Sequence, residues 1–114
     1  MDIDVNNGEY IDINDAVKRI GGNMELYKRL LGRFVSGNEL SVLEGALQSG
    51  DVEEAKRLTH TIKGVSANLS LVRIRAVTTD LEQTLKDGLD YSASFSELKQ
   101  AYDGTIKKIE EITA

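Results

Sequence analysis

His60 is the only histidine in the chain, and Lys63 and Gly64 follow it at three and four residues. On a helix those offsets place all three on neighbouring positions of one face, with Lys56 four residues before. A neutral imidazole is a nucleophile or a general base. Cations beside it disfavour the imidazolium and favour an anion carried on the ring. A single histidine and no cysteine exclude a multi-histidine or thiolate metal site within one chain.

The stretch from Asp51 to Ser70 must hold these groups, and it reads as one helix. Asp51 is an N-cap residue, and Glu54 three positions on completes a capping-box pattern. Glu53 and Glu54 suit the positive end of the helix dipole. Val52, Ala55, Leu58, Ile62, Val65 and Leu69 recur at three and four residues and form one apolar stripe. At about 100° per residue, His60 falls nearly opposite the middle of that stripe. It is therefore expected on an outer face, ringed by Lys56, Lys63, Gly64 and Ala67. Glycine inside a helix costs about 1 kcal/mol relative to alanine. Gly64 lies off the stripe, so the core does not require it. Its bare surface, extended by Ala67, clears room for another protein to approach the ring.

A chain of 114 residues forms one small domain with a single core. The absence of cysteine is compatible with a reducing cytosol. No apolar run approaches a membrane span, and the first residues are acidic rather than signal-like. The net charge of −5 argues against general nucleic-acid binding. Proline is absent, and Leu, Lys, Glu and Ala recur at helical spacing, which gives an all-α class. No glycine-rich cradle or Walker lysine is present, so ATP binding and self-phosphorylation are not expected.

Residues 1 to 11 show no lasting period and read as a mobile arm before a domain spanning 12 to 114. Asp12 or Asn14 caps a short helix that ends at Gly21-Gly22. Asn23 caps the next. Leu26, Tyr27, Leu30, Leu31 and Phe34 form one stripe, and Leu40, Leu43 and Leu47 a second that is out of phase with it. Gly37 stands at the junction, and the pattern predicts one long helix, bent there, from Met24 to about Gln48. After the histidine helix, Asn68-Leu69-Ser70 marks a tight turn. A helix from Val72 to Lys86 and a last one capped by Ser92 or Ser94 complete the chain. Tyr27 and Tyr102 are expected in the core, and Lys107, Lys108, Glu110 and Glu111 on a solvated face. The predicted architecture is an antiparallel up-down-up-down four-helix bundle with a short extra N-terminal helix.

The segment AKRLTHTIKGVSANL resembles the signature of histidine-containing phosphotransfer (HPt) domains of bacterial phosphorelays. The shared pattern is His-x-x-Lys-Gly on a bundle helix, here His60, Lys63 and Gly64. Gly21-Gly22 before Glu25-Leu26-Tyr27, then Leu31 and Phe34, Gly50-Asp51, and Leu81-Glu82 extend the resemblance to roughly residues 11 to 110. Ser70 departs from it, since many members have glycine in the turn after the histidine helix.

The resemblance implies a cytoplasmic, monomeric phosphocarrier rather than an enzyme. His60, through Nε2, would accept a phosphoryl group from an aspartate of a receiver domain and pass it to another. The partners implied are response-regulator receivers and a hybrid sensor histidine kinase. The receiver would bring Mg²⁺, and this chain needs no cofactor of its own. Lys63 would stabilise the phosphoryl oxygens, with Lys56 as an auxiliary or merely a solvated lysine. Arg57 would add only general positive field. Glu82 would orient the ring through Nδ1–H, or lie in a surface salt bridge. Small residues around Gly64 and Ala67, with parts of the first helix, would form the docking surface. Two alternatives are a non-catalytic adaptor that binds receivers and a phosphoacceptor piece of a larger sensor kinase. In the latter family an acidic residue usually follows the histidine, and here Thr61 does.

Overall fold

The computed structural model of the protein describes residues 10 to 114, and the described residues are all-helical. The helices are α1 (Ile13–Arg19), α2 (Met24–Ser36), α3 (Glu39–Ser49), α4 (Val52–Asn68), α5 (Val72–Lys86) and α6 (Ser92–Thr113). The main packed pairs are α3 with α4, α4 with α5, and α5 with α6, while α2 leans on α6. Tyr27, Leu31, Leu43, Ile62, Leu71, Ile74, Leu81, Leu98 and Ile109 fill the centre. Tyr27, expected in the core, is fully buried and donates its hydroxyl to the Leu69 carbonyl at 2.7 Å.

The long bent helix expected from Met24 to Gln48 is instead two helices. Gly37 closes α2 with an extended backbone, at φ −72° and ψ 166°, and Asn38 starts α3. Helical hydrogen bonding cannot cross an extended residue. The break also resolves the phase conflict, because each apolar set then follows its own helix. α2 is directed toward α6 and α3 toward α4. A groove of about 350 Å³ opens on the side where α2 faces α4, lined by Leu30, Phe34, Ile62, Val65, Leu69 and Tyr102 among others.

Caps follow local chemistry. Asp12, Asn23 and Asp51 each accept the backbone N–H three residues on, which stabilises a helix start by about 1 kcal/mol. The expected cap of the last helix by Ser92 or Ser94 is not formed. Tyr91 stands at the cap position, and Asp90 accepts the Ser92 N–H at 2.9 Å. Residues 1 to 9 of the expected arm lie outside the described residues, and its last two residues are packed. Ile11 is buried, and the Tyr10 ring fills a notch over Gly104, where a Cβ would collide with it.

The turn after α4 explains the departure at Ser70. Its φ is +57°, the left-handed conformation that glycine adopts without cost. Serine is held there from two sides. Its carbonyl accepts the Asp12 N–H at 3.0 Å, and its hydroxyl donates to Asp15 Oδ2 at 2.7 Å. That hydrogen bond, followed by the one from Arg19, keeps the Asp15 carboxyl below its usual range.

Candidate functional site

α4 is positioned by a turn that uses both neighbouring helix ends. Gly50, at φ +77°, ends α3, and the Asp51 N–H closes onto the Ala46 carbonyl. Asp51 Oδ1 then accepts the Glu54 N–H at 3.2 Å. The return half of the expected capping box is absent. The Asp51 N–H is already engaged, and the Glu54 carboxylate binds Arg57 at 2.8 and 2.7 Å.

The buried face of α4 differs from the expected stripe at both edges. Ala55, Leu58, Ile62 and Leu69 are buried as expected, but Val52 and Val65 are exposed. Thr59 and Ser66, outside the expected stripe, are both fully buried. On α5, which packs against α4, Thr78 is also fully buried. Each hydroxyl bonds a carbonyl of its own helix: Thr59 to Ala55 at 2.7 Å, Ser66 to Lys63 at 2.8 Å, and Thr78 to Ile74 at 2.7 Å. Small, internally satisfied side chains let two helices approach closely without an unpaired polar atom. Sequence reasoning missed this seam. Its signal was present in Ala55, Thr59 and Ser66, which recur at helical offsets around Ile62.

The close approach of α4 and α5 brings three polar groups together at the rim. His60 projects outward with its side chain 75% exposed. Glu82, on α5, is 24% exposed and divides its carboxylate between two partners. Oε2 lies 3.0 Å from His60 Nδ1, and Oε1 accepts from Lys63 Nζ at 2.8 Å. The Lys63 hydrogen bond first, and the His60 one second, hold the Glu82 carboxyl below its usual range. An ionised carboxylate only accepts, so Nδ1 carries the proton in this contact. In the neutral ring, Nε2 then holds the lone pair, and it has no hydrogen-bond partner among the described residues.

Magnitudes show why the carboxylate needs both partners. A charge-assisted hydrogen bond to so exposed a ring contributes about 1 kcal/mol after screening. Ordering a glutamate side chain costs about 1.5 kcal/mol. The ring alone therefore leaves Glu82 near balance, and the second bond from Lys63 decides its position.

Of the other expected residues, Lys56 lies on the same face but pairs with Glu53 at 3.4 Å and is outside the His60–Glu82–Lys63 chain. Ala67 is half-buried. Gly64 is exposed, and a Cβ built on it would meet nothing within 4 Å. The fold of this chain would therefore accept alanine there. No cluster of His, Asp or Glu able to hold a metal is present among the described residues.

His60 thus stands on the outer rim of the helical domain with one ring nitrogen fixed and the other free of partners among the described residues. A family model described as the Hpt domain matches residues 35–108, which is more than half of the chain and includes every residue of this site. The chain belongs to the Hpt domain family. No curated protein and no solved structure matches it. Among the described residues, no helix is long and apolar enough to cross a membrane.

Proposed function

We propose that the protein is a histidine phosphotransfer component of a two-component phosphorelay, with His60 as the phosphoacceptor. The observation that carries this reading is the fixed Nδ1 and free Nε2 of an exposed ring. Nε2 attacks the phosphorus of an aspartyl phosphate on a receiver domain. The N–P bond forms, the P–O bond to the aspartate breaks, and the aspartate leaves as carboxylate. No proton need move, because the attacking nitrogen bears none. The product ring has both nitrogens substituted and is positive. The Glu82 carboxylate, 3.0 Å from Nδ1, faces that charge. A second receiver aspartate then attacks the phosphorus and reverses the step.

Such transfer depends on positioning and charge neutralisation more than on covalent help. Lys63 is the cation nearest to hand for the phosphoryl oxygens, because its ammonium has three donors and the Glu82 bond uses one. Gly64 and Ala67 form the approach surface for the receiver, with Lys56 as an outlying cation. We read the helices as an up-down-up-down bundle in which α2 and α3 share one position, and the protein as a monomer working in a bacterial cytoplasm. Its partners are response-regulator receivers and a hybrid sensor kinase.

The test is incubation with a phosphorylated receiver and Mg²⁺. The reading expects acid-labile, alkali-stable phosphate on this chain and none on the His60→Gln variant, which stays folded. Labelling that persists in His60→Gln overturns the assignment.

A further inference from the structure

We infer that the groove between α2 and α4 binds a free α-amino acid with a large apolar side chain, its carboxylate on Arg33 and its ammonium on Glu39. Ile62 and Val65, on the groove wall, lie about 140–160° around α4 from His60. The site is therefore separate from the rim that carries His60, and the inference holds whichever way labelling of His60 falls.

The groove holds about 350 Å³, at the lower end of the range for small-molecule sites. Its walls are apolar, from Leu30 on α2 and from Ile62, Val65 and Leu69 on α4. The stacked rings of Phe34 and Tyr102, 5.2 Å apart, line it as well. Its charged groups are of opposite sign. The break at Gly37 puts Arg33, near the end of α2, and Glu39, the first residue of α3, on the same groove. The ion pairs among the described residues include neither, so the two charges line one groove without meeting.

A third group is unsatisfied. Tyr102 is 7% exposed, and its hydroxyl is buried with no partner among the described residues. Leaving such a group unpaired costs about 1–3 kcal/mol. Burial, and then the charge of Glu39, push the pKa of this hydroxyl above its ordinary value. Glu39 and the Tyr102 oxygen thus act on the same part of the groove. An ammonium placed there donates to both, since it has three donors. A fatty acid would satisfy Arg33 and set its charge against Glu39; an apolar amine would do the reverse. A zwitterion matches both charges. In an α-amino acid the two charges flank one carbon, and its side chain enters the apolar walls.

The experiment is NMR of the backbone amides during titration with L-phenylalanine at millimolar concentration. Shifts are expected at the groove residues of α2, α4 and α6. N-acetyl-L-phenylalanine lacks the ammonium, and L-phenylalaninamide lacks the carboxylate. Each should bind about tenfold more weakly, the worth of one charge-assisted hydrogen bond. Arg33→Met should weaken L-phenylalanine by the same factor and leave the amide unchanged. Glu39→Gln should weaken L-phenylalanine and leave the N-acetyl compound unchanged. Tyr102→Phe should weaken it too, while the unliganded variant unfolds at no lower urea concentration, since the hydroxyl it loses has no partner. Val65→Trp, at the exposed edge, should fill the groove and remove binding. Absence of groove shifts with L-phenylalanine overturns the inference. So does decanoate binding as tightly as L-phenylalanine, which would make the groove a slot for any apolar chain. An Arg33→Met variant that weakens L-phenylalanine and its amide equally overturns it as well.

Discussion

On the flank of α4 that meets α5, Ala55, Thr59 and Ser66 are fully buried and each hydroxyl is satisfied within its own helix. On the flank that faces α2, Val65 is 37% exposed at the edge of a groove, and the buried Tyr102 hydroxyl has no partner among the described residues. The same helix is clamped on one side and open on the other. The His60–Glu82–Lys63 chain lies on the clamped side, where two helices hold polar groups to hydrogen-bond distance. The open side follows from the break at Gly37 and Asn38, which sends α2 toward α6. Polar precision is found where small residues let the backbones close. Exposed apolar surface is found where a helix is turned away.

Substitutions on the two flanks should separate them. Leu81→Ala, on the α5 side and fully buried, should cost about 2–5 kcal/mol in urea unfolding. Val65→Ala, on the groove, should cost less than about 1 kcal/mol. Equal losses would mean that the groove is packed as tightly as the seam.

Gly64 carries the next effect, in binding rather than folding. Gly64→Leu should weaken receiver binding by about a hundredfold, the scale of a clash at an interface centre, and leave slow labelling by a small phosphodonor intact. Equal loss with both donors would contradict the idea that the bare surface serves docking. Gly64→Ala should raise stability by about 0.5–1 kcal/mol, because the site has room for the methyl group. Lys63→Ala should slow transfer from a phosphorylated receiver by about tenfold, the cost of one charge-assisted hydrogen bond. An unchanged rate would remove Lys63 from the site.

The smallest effect is on acid stability. The Glu82 carboxyl is held below its usual value by Lys63 and then His60. A group lowered on folding contributes stability above its unfolded value, 4.5 here. That contribution disappears as the pH falls through the lower folded value. The stability advantage of the native protein over Glu82→Gln should therefore be constant above that window and shrink below it. A constant difference at all pH values would show that Glu82 is not paired when folded.

Much of the site was legible because helical spacing reports angles. His60 opposite Leu58, Ile62 and Leu69, with Lys63 and Gly64 beside it, needed only the period of one helix. The cap at Asp51, the turn at Ser70 and the buried tyrosines were readable from local chemistry. What escaped was relational. Period alone could not decide that Thr59 and Ser66 would be buried while Val52 and Val65 stayed exposed, because the placement of the neighbouring helices sets that choice. The place of Glu82 depended on the same closeness, so two outcomes stayed open for it. At Gly37 the phase conflict was visible, but its resolution as a break required knowing that α2 would pack on α6.

The most direct measurement is the position of the phosphate itself. The labelled protein is digested in alkali and the phosphohistidine isomer identified, with the modified peptide mapped in parallel. The account predicts phosphate on Nε2 of His60. Phosphate on Nδ1, or on any residue other than His60, would contradict it.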